Sequence, residues 1–253
     1  PSMYMISIRP LATTMSSWLI GLDVHTHCRH TKEPSAGKAK VPDERGYGGV
    51  CTSLPALVHA LAPRDVLQLF GAACVEHKII LVSQYTSQLT SAAEALLTLL
   101  WPVDWLNVYI PVLPLQLLDV LGSPVPYLLG VSTASYEAAE AQGILPDDAM
   151  IARLDLAQLI VPPALASMLP TLPDSEALSR ALEHFRIACP AGEDEAAQAD
   201  LAFPLREHGA SARAAAERDR AQLRARHAFA SWWAKLLCGY QDHLRTAGQD
   251  GSL

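Results

Sequence analysis

The residues with the plainest capacity for chemistry lie near the start of the chain, in Asp23-Val24-His25-Thr26-His27. The apolar run Trp18-Leu19-Ile20-Gly21-Leu22 precedes them, so the segment can be drawn as a strand ending in a pair of histidines. Alternate residues of a strand point to one side, and His25 and His27 would aim two imidazoles at a single ion such as zinc. Cys28 and His30 add two further ligand atoms. A hydrolase built on such a pair needs more His and Asp at later strand ends, and about eight strand–helix units to hold them. The other histidines do not fit that plan: His59 and His77 fall in or beside expected helices, and His184, His208, His227 and His243 lie in a helical tail. An exposed polar linker with incidental histidines is the preferred reading.

Other chemistry is harder still to place. Ser132-Thr133-Ala134-Ser135-Tyr136 offers hydroxyls after an expected strand, but without the GxSxG turn that exposes a nucleophile. Helix N-capping by Ser132 or Ser135 explains them better. No GxxxxGK loop and no GxGxxG after a strand is present to cradle phosphates. The five cysteines, Cys28, Cys51, Cys74, Cys189 and Cys238, are dispersed and odd in number, which reads as reduced thiols of an intracellular protein. A net charge of −7 gives no basic surface for nucleic acid. The Arg-rich stretch 206–226 carries interleaved Glu and Asp, the composition of a solvated helix face rather than a lipid-binding one. No signal-peptide pattern opens the chain, which starts on Pro1 as a fragment would. Leu96 to Leu121 is apolar, but Asp104, Asp119, Pro102, Pro111 and Pro114 break the ~20 clean residues that a spanning helix needs.

The elements available to position functional groups follow from periodicity. Met3 to Ile8 predicts a short strand, Met15 to Leu22 a helix, and residues 29–49 a polar loop. Pro63 suits a first helical position, with Val66, Leu69, Phe70, Ala73 and Cys74 following at helical spacing. Ile79-Ile80-Leu81-Val82 is continuously apolar, as a strand covered on both faces must be. Leu89, Ala93, Leu96, Leu97 and Leu100 mark a helix stopped by Pro102, and Trp105 to Ile110 predicts a second strand. A short helix over Leu115, Leu118 and Leu121 is expected to end on a left-handed Gly122. Tyr127 to Val131 predicts a third strand, Tyr136 to Gln142 a helix ended by Gly143, and Met150 to Leu156 a fourth strand.

Strands that alternate with helices imply a largely parallel α/β sheet with helices on both faces. After residue 160 the composition shifts. Pro162, Pro163, Pro170 and Pro173 punctuate a linker-like stretch, Asp174 is placed to cap a helix through Phe185, and an acidic loop covers 193–200. Phe229, Trp232, Trp233, Leu236, Leu237, Tyr240 and Leu244 then form an apolar stripe that must dock. The C-terminal third is expected to be a helical lobe.

Four stretches, in this order, resemble the DENN family. Leu69-Phe70-Gly71-Ala72-Ala73-Cys74-Val75-Glu76-His77-Lys78 through Ser83 is similar to its helix, Glu-basic turn and buried strand. Trp101-Pro102-Val103-Asp104-Trp105 through Tyr109-Ile110-Pro111-Val112-Leu113-Pro114 resembles its most distinctive signature. Ser123-Pro124-Val125-Pro126-Tyr127-Leu128-Leu129-Gly130-Val131 resembles its Pro-x-Pro-Tyr-Leu-x-Gly-Val strand. Arg153-Leu154-Asp155-Leu156 resembles a strand usually written D-L-D, with Arg in the first acidic place. Arg226-His227-Ala228-Phe229 with Leu236, Leu237, Gly239 and Tyr240 is similar to the family's downstream helical segment, and Met5-Ile6-Ser7, Pro10-Leu11 and Trp18-Leu19 to the tail of its upstream longin module, the rest of which is missing.

The resemblance implies three parts: residues 1–49 as longin-like tail and linker, 50–160 as the central DENN core, and 161–253 as the downstream helical segment. It implies a guanine nucleotide exchange module for Rab-type GTPases, cytoplasmic and peripheral on vesicle or endosomal membranes through its partner. No cofactor, metal or covalent catalysis is expected. The alternatives are a DENN-like scaffold without exchange activity and an amidohydrolase-like enzyme using Asp23, His25 and His27. Read by physics alone, Pro111 and Pro114 end a strand, Trp105 and Tyr109 suit a rim between core and surface, Pro124 and Pro126 hold an extended lead-in, and Gly130 permits close backbone packing. Glu76, Pro102 and Asp155 complete the structural set. Ser83, Gln84, Trp105 and Asn107, polar-tipped residues near strand ends, are the expected contacts for a GTPase.

Overall fold

The computed structural model describes residues 54–167, 169–190, 200 and 212–238. The Asp23, His25 and His27 segment, the expected strand and helix before residue 25, and the loop 29–49 lie outside the described residues. So do most of the acidic loop at 193–200, residues 206–211, Gly239, Tyr240 and Leu244.

Helices α1 (Leu54–Val58) and α2 (Pro63–Cys74) lead into strand β1 (Ile79–Ser83). Helix α3 (Thr86–Leu100), strand β2 (Val108–Ile110) and a 3-10 helix (Leu115–Gly122) follow. Next come β3 (Tyr127–Ser132), α4 (Thr133–Ala141), β4 (Met150–Arg153), a 3-10 turn (Leu154–Leu156) and β5 (Gln158–Ile160). The described residues close with α5 (Pro163–Ala166), α6 (Ser175–Ala188) and α7 (Ala212–Leu236). The sheet has the order β2-β3-β1-β4-β5. Its first four strands run parallel, and β5 is antiparallel to β4.

Every residue of β1 is buried, and its side chains divide by the two-residue pleat. Ile79 and Leu81, with Leu128, Met150 and Ala152 on the neighbouring strands, face a core shared with α1, α2, α3, α6 and α7. Ile80 and Val82, with Leu129, Val131 and Ile151, face the opposite core against α4 and the 3-10 helix. The α/β fold with helices on both faces is therefore the one expected.

Helix ends show how local chemistry fixes these elements. Pro63 is at the start of α2, where its missing N–H costs nothing. Beyond the other end of α2, Glu76 N donates to Ala73 O and His77 N to Ala72 O, each at 3.0 Å, the paired bonds of a Schellman cap. The left-handed position falls on Glu76 (φ 53°). The same pair of bonds ends α4, from Gly143 N to Glu140 O and from Ile144 N to Ala139 O, and there a glycine occupies the left-handed site (φ 67°).

Close approach explains another glycine. A Cβ at Gly130 would lie 1.8 Å from the Pro111 carbonyl oxygen and 3.2 Å from Leu89 Cβ. No side chain fits between β3 and the chain leaving β2. The carbonyl of Gly130 accepts from Leu113 N at 2.7 Å, tying that exit down.

Several expectations change. The strand predicted from Trp105 is regular only over Val108–Ile110, because the indole Nε1 of Trp105 donates to Val108 O (3.2 Å) and folds the chain back before the strand. Gly122 closes the 3-10 helix without a left-handed backbone, since Ser123 N already satisfies Val120 O. The strand expected over 150–156 stops at Arg153, and a left-handed Ala157 (φ 50°) reverses the chain into β5, which sequence reading did not foresee. Asp174 stands before α6 but has a left-handed backbone and makes no side-chain cap; its carboxylate lies 3.5 Å from Lys235 Nζ. The Pro-rich stretch includes the short helix α5, which buries Leu165. Cys74 and Cys189 are not in disulfides, but Cys238 is disulfide-bonded. Dispersed spacing in a sequence does not reveal which sulfurs a fold brings together.

Helix α7 docks through an aromatic cluster. Phe70 of α2 meets Phe229, Trp232 and Trp233 edge-on, at centroid distances of 5.0, 5.4 and 6.2 Å. Both indoles place their N–H on backbone carbonyls, Trp232 on Pro173 (2.7 Å) and Trp233 on Leu99 (3.3 Å). Phe70→Ala should cost about 3–5 kcal/mol in a urea titration, since the cluster cannot collapse around the void. Ile187→Ala, at a side chain 79% exposed, should stay within about 0.5 kcal/mol.

Candidate functional site

The parallel strands bring their carboxyl ends together. Ser83 of β1 pairs in register with Ser132 of β3, and Val82 with Arg153 of β4. From these ends the chain departs to opposite faces: α3 after β1 packs on one core and α4 after β3 on the other. Divergence of two neighbouring connections leaves a crevice at the strand ends. Here it is a depression of about 210 Å³ lined by Val82, Gln84, Thr133, Arg153, Asp155 and Leu156.

Asp155 organises this rim. Its Oδ2 accepts from Gln84 N (2.7 Å) and Thr133 Oγ1 (3.2 Å), and its Oδ1 from Ser83 Oγ (2.8 Å). One carboxylate thus ties together the segments leaving β1, β3 and β4. Ser83 Oγ also accepts from Tyr85 N (3.0 Å) and lies 2.7 Å from Gln88 Oε1. A hydroxyl carries one proton, which Asp155 takes. The Gln88 amide is then best satisfied with its NH₂ turned toward Ser83.

Two neighbours shape the electrostatics. The Arg153 guanidinium lies over the Tyr136 ring, 5.3 Å from its centroid. Burial and then the Glu140 carboxylate push the Tyr136 phenol above its ordinary range, against the opposing pull of Arg153. At the start of α3, Tyr85 supplies no side-chain cap. Asp200 caps instead: its oxygens accept from Thr86 N (2.9 Å) and Ser87 N (2.8 Å). Its small burial would raise the carboxyl pKa, but hydrogen bonds from Ser87 and Thr86 outweigh that and hold it below the usual range.

The four expected contacts do not converge. Ser83 and Gln84 sit at the carboxyl end, with Ser83 fully buried and Gln84 exposed. Trp105 and Asn107 precede β2, at the opposite end of the sheet. There Asn107 Nδ2 is buried with no hydrogen-bond partner. Tyr109, as a rim residue should, packs its ring on the core and donates its hydroxyl to Glu94 Oε1 (2.6 Å). Burial first, then Glu94, raises its pKa. Thr133, Arg153 and Leu156 complete the rim and were not expected as contacts; Thr133 stood out only as a hydroxyl after a strand, and Arg153 by its departure from the acidic pattern. Burial pushes the Cys74 thiol up to about 12, so it is no nucleophile at neutral pH. Among the described residues no three His, Cys, Asp or Glu side chains cluster to hold a metal, and no helix is long and apolar enough to cross a membrane.

An open sheet whose helices diverge from the carboxyl ends of its central strands defines the doubly wound class of α/β domains. The chain matches the DENN (AEX-3) domain over residues 25–156, more than half its length, and it belongs to that family. It is similar to proteins named elicitor of plant defense protein 1. The relative from Fusarium odoratissimum is 38% identical over 109 residues, covering 43% of this chain and 11% of that protein. The relative from Verticillium dahliae is 41% identical over 93 residues, covering 37% and 8%. That from Gibberella zeae is 35% identical over 109 residues, covering 43% and 9%. The chain thus spans about a tenth of the length of these curated relatives.

Two measurements probe the rim. Asp155→Asn leaves one oxygen for three donors and should destabilise by about 1–2 kcal/mol in urea unfolding. Asp200→Ala should cost about 0.5–1 kcal/mol at neutral pH, the worth of a cap. Because the folded pKa of Asp200 is depressed, its contribution is complete above the ordinary carboxylate pKa and lost as pH falls through the folded value. The gap between variant and parent should therefore close on acidification.

Proposed function

We propose that the chain is the GTPase-engaging part of a guanine nucleotide exchange factor, binding a Rab-type GTPase and promoting GDP release. What supports this reading is membership of the DENN family together with a carboxyl-end rim locked in advance by the Asp155 carboxylate. An exchange factor acts by differential binding: it favours the GTPase conformation whose switch segments have let go of nucleotide and magnesium. A surface fixed before the encounter loses little entropy on docking. The nucleotide site then belongs to the partner, and the factor regulates without covalent catalysis or a cofactor of its own.

In this reading Gln84 touches the GTPase, while Ser83 acts from beneath by holding Asp155, which in turn holds the Gln84 backbone. Trp105 and Asn107 form a second contact at the far end of the sheet. Residues 50–160 supply the platform, 161–253 brace it, and 1–49 carry the tail of a longin-like segment. The setting is cytoplasmic and peripheral, on vesicle or endosomal membranes reached through the GTPase.

The test is release of a fluorescent GDP analogue from a panel of Rab GTPases, with the chain alone and with the longer protein that contains it. At least one Rab should release nucleotide faster, and Gln84→Ala should cut the gain by about five- to tenfold, the weight of one strong contact residue. A panel in which neither protein accelerates any Rab would sink the exchange reading.

A further inference from the structure

Arg153 is a half-buried cation that the fold leaves unused. Its side chain makes no hydrogen bond or ion pair with any described residue, and its contact is the face of Tyr136. The obvious neighbour, Asp155, makes no ion pair with it; the Asp155 oxygens instead accept from Ser83, Gln84 and Thr133. Yet Arg153 lines the same depression as those residues. A cation held over an aromatic face keeps its N–H donors available to a further partner.

We infer that Arg153 is a specificity-determining residue: in the strand-end depression it receives a carboxylate, an Asp or Glu side chain presented by the GTPase. The inference rests on the functional reading above and adds the chemistry of the group recognised. A depression of about 210 Å³ holds a side-chain carboxylate with a few waters, each taking about 30 Å³. The planar fork of Arg matches a planar carboxylate through two parallel bonds. The Gln84 side chain lines the same depression as a further donor, whereas Thr133 Oγ1 gives its proton to Asp155. Charge selects against phosphate. The Asp155 side chain lines the same depression and disfavours a dianion more than a single carboxylate, and the whole chain carries −7. Binding should therefore discriminate among GTPases by whether an acidic residue stands at the docked position.

The experiment compares the parent chain with Arg153→Lys, Arg153→Ala and Arg153→Glu, after thermal melting has established that each is folded. Binding to the responsive GTPase is read at two salt concentrations. Arg153→Glu should weaken binding by about tenfold or more and flatten the salt dependence, with Arg153→Lys intermediate because it keeps the charge and loses the fork. Reversing the matching acidic residue on the GTPase to Arg should restore binding to Arg153→Glu. If Arg153→Glu binds within about twofold of the parent, against the loss expected for a desolvated charge pair, the inference is overturned while the functional reading stands. If the parent engages no GTPase, the functional reading fails, and side-chain NMR of the arginines still decides the pocket. Acetate, a single carboxylate, should shift the Arg153 guanidinium signals at concentrations where inorganic phosphate does not. No shift, or an equal one with phosphate, overturns the carboxylate assignment.

Discussion

The fold depends on one constraint, that β1 has no face it can show to water. Its five residues are all buried, so apolar layers must cover both sides of the sheet. Strand β1 sits at the centre with β3 and β4 as parallel neighbours, and parallel neighbours require crossovers that carry helices. The first crossover supplies α3 on one face and the crossover between β3 and β4 supplies α4 on the other. The helices that satisfy β1 are thereby the ones that part at its carboxyl end. The crevice is a by-product of covering a hydrophobic strand twice.

Much of this was legible in the residues because burial leaves a compositional trace. Ile79-Ile80-Leu81-Val82 could be read as a two-sided strand, the spacing of Phe229, Trp232 and Trp233 as a docking helix face, and Gly130 as a point of close approach. Strand β5 left no such trace: Gln158 and Ile160 are exposed, and Leu159 alone turns inward. The shortened β2 and β4 were misjudged for a related reason. Apolar residues continue past each strand, while pairing ends where Trp105 or Ala157 redirects the backbone.

The rim was legible in its parts and not in its assembly. Asp155 and Ser83 could each be singled out from sequence, but a carboxylate joining them across 72 positions cannot be inferred from spacing. Asp200 was one of several acids in an acidic stretch, and nothing local marked it as the cap of α3. Trp105 and Asn107 share with Ser83 and Gln84 the property of lying near strand ends. Direction along the sheet, which separates the two pairs, appears only once the parallel register is known.

The capping of α3 by Asp200 also bears on how the chain is made. The acid lies 114 positions beyond Thr86, and the aromatic residues that enclose Phe70 come from the final described helix. On a ribosome the early helices must therefore wait, with an incomplete start to α3 and one flank of their core open, until residues 200–233 emerge. During synthesis that flank is a natural client surface for chaperones. A stop codon anywhere before Phe229 would strand it permanently, so truncated products should be degraded rather than accumulate as a working half.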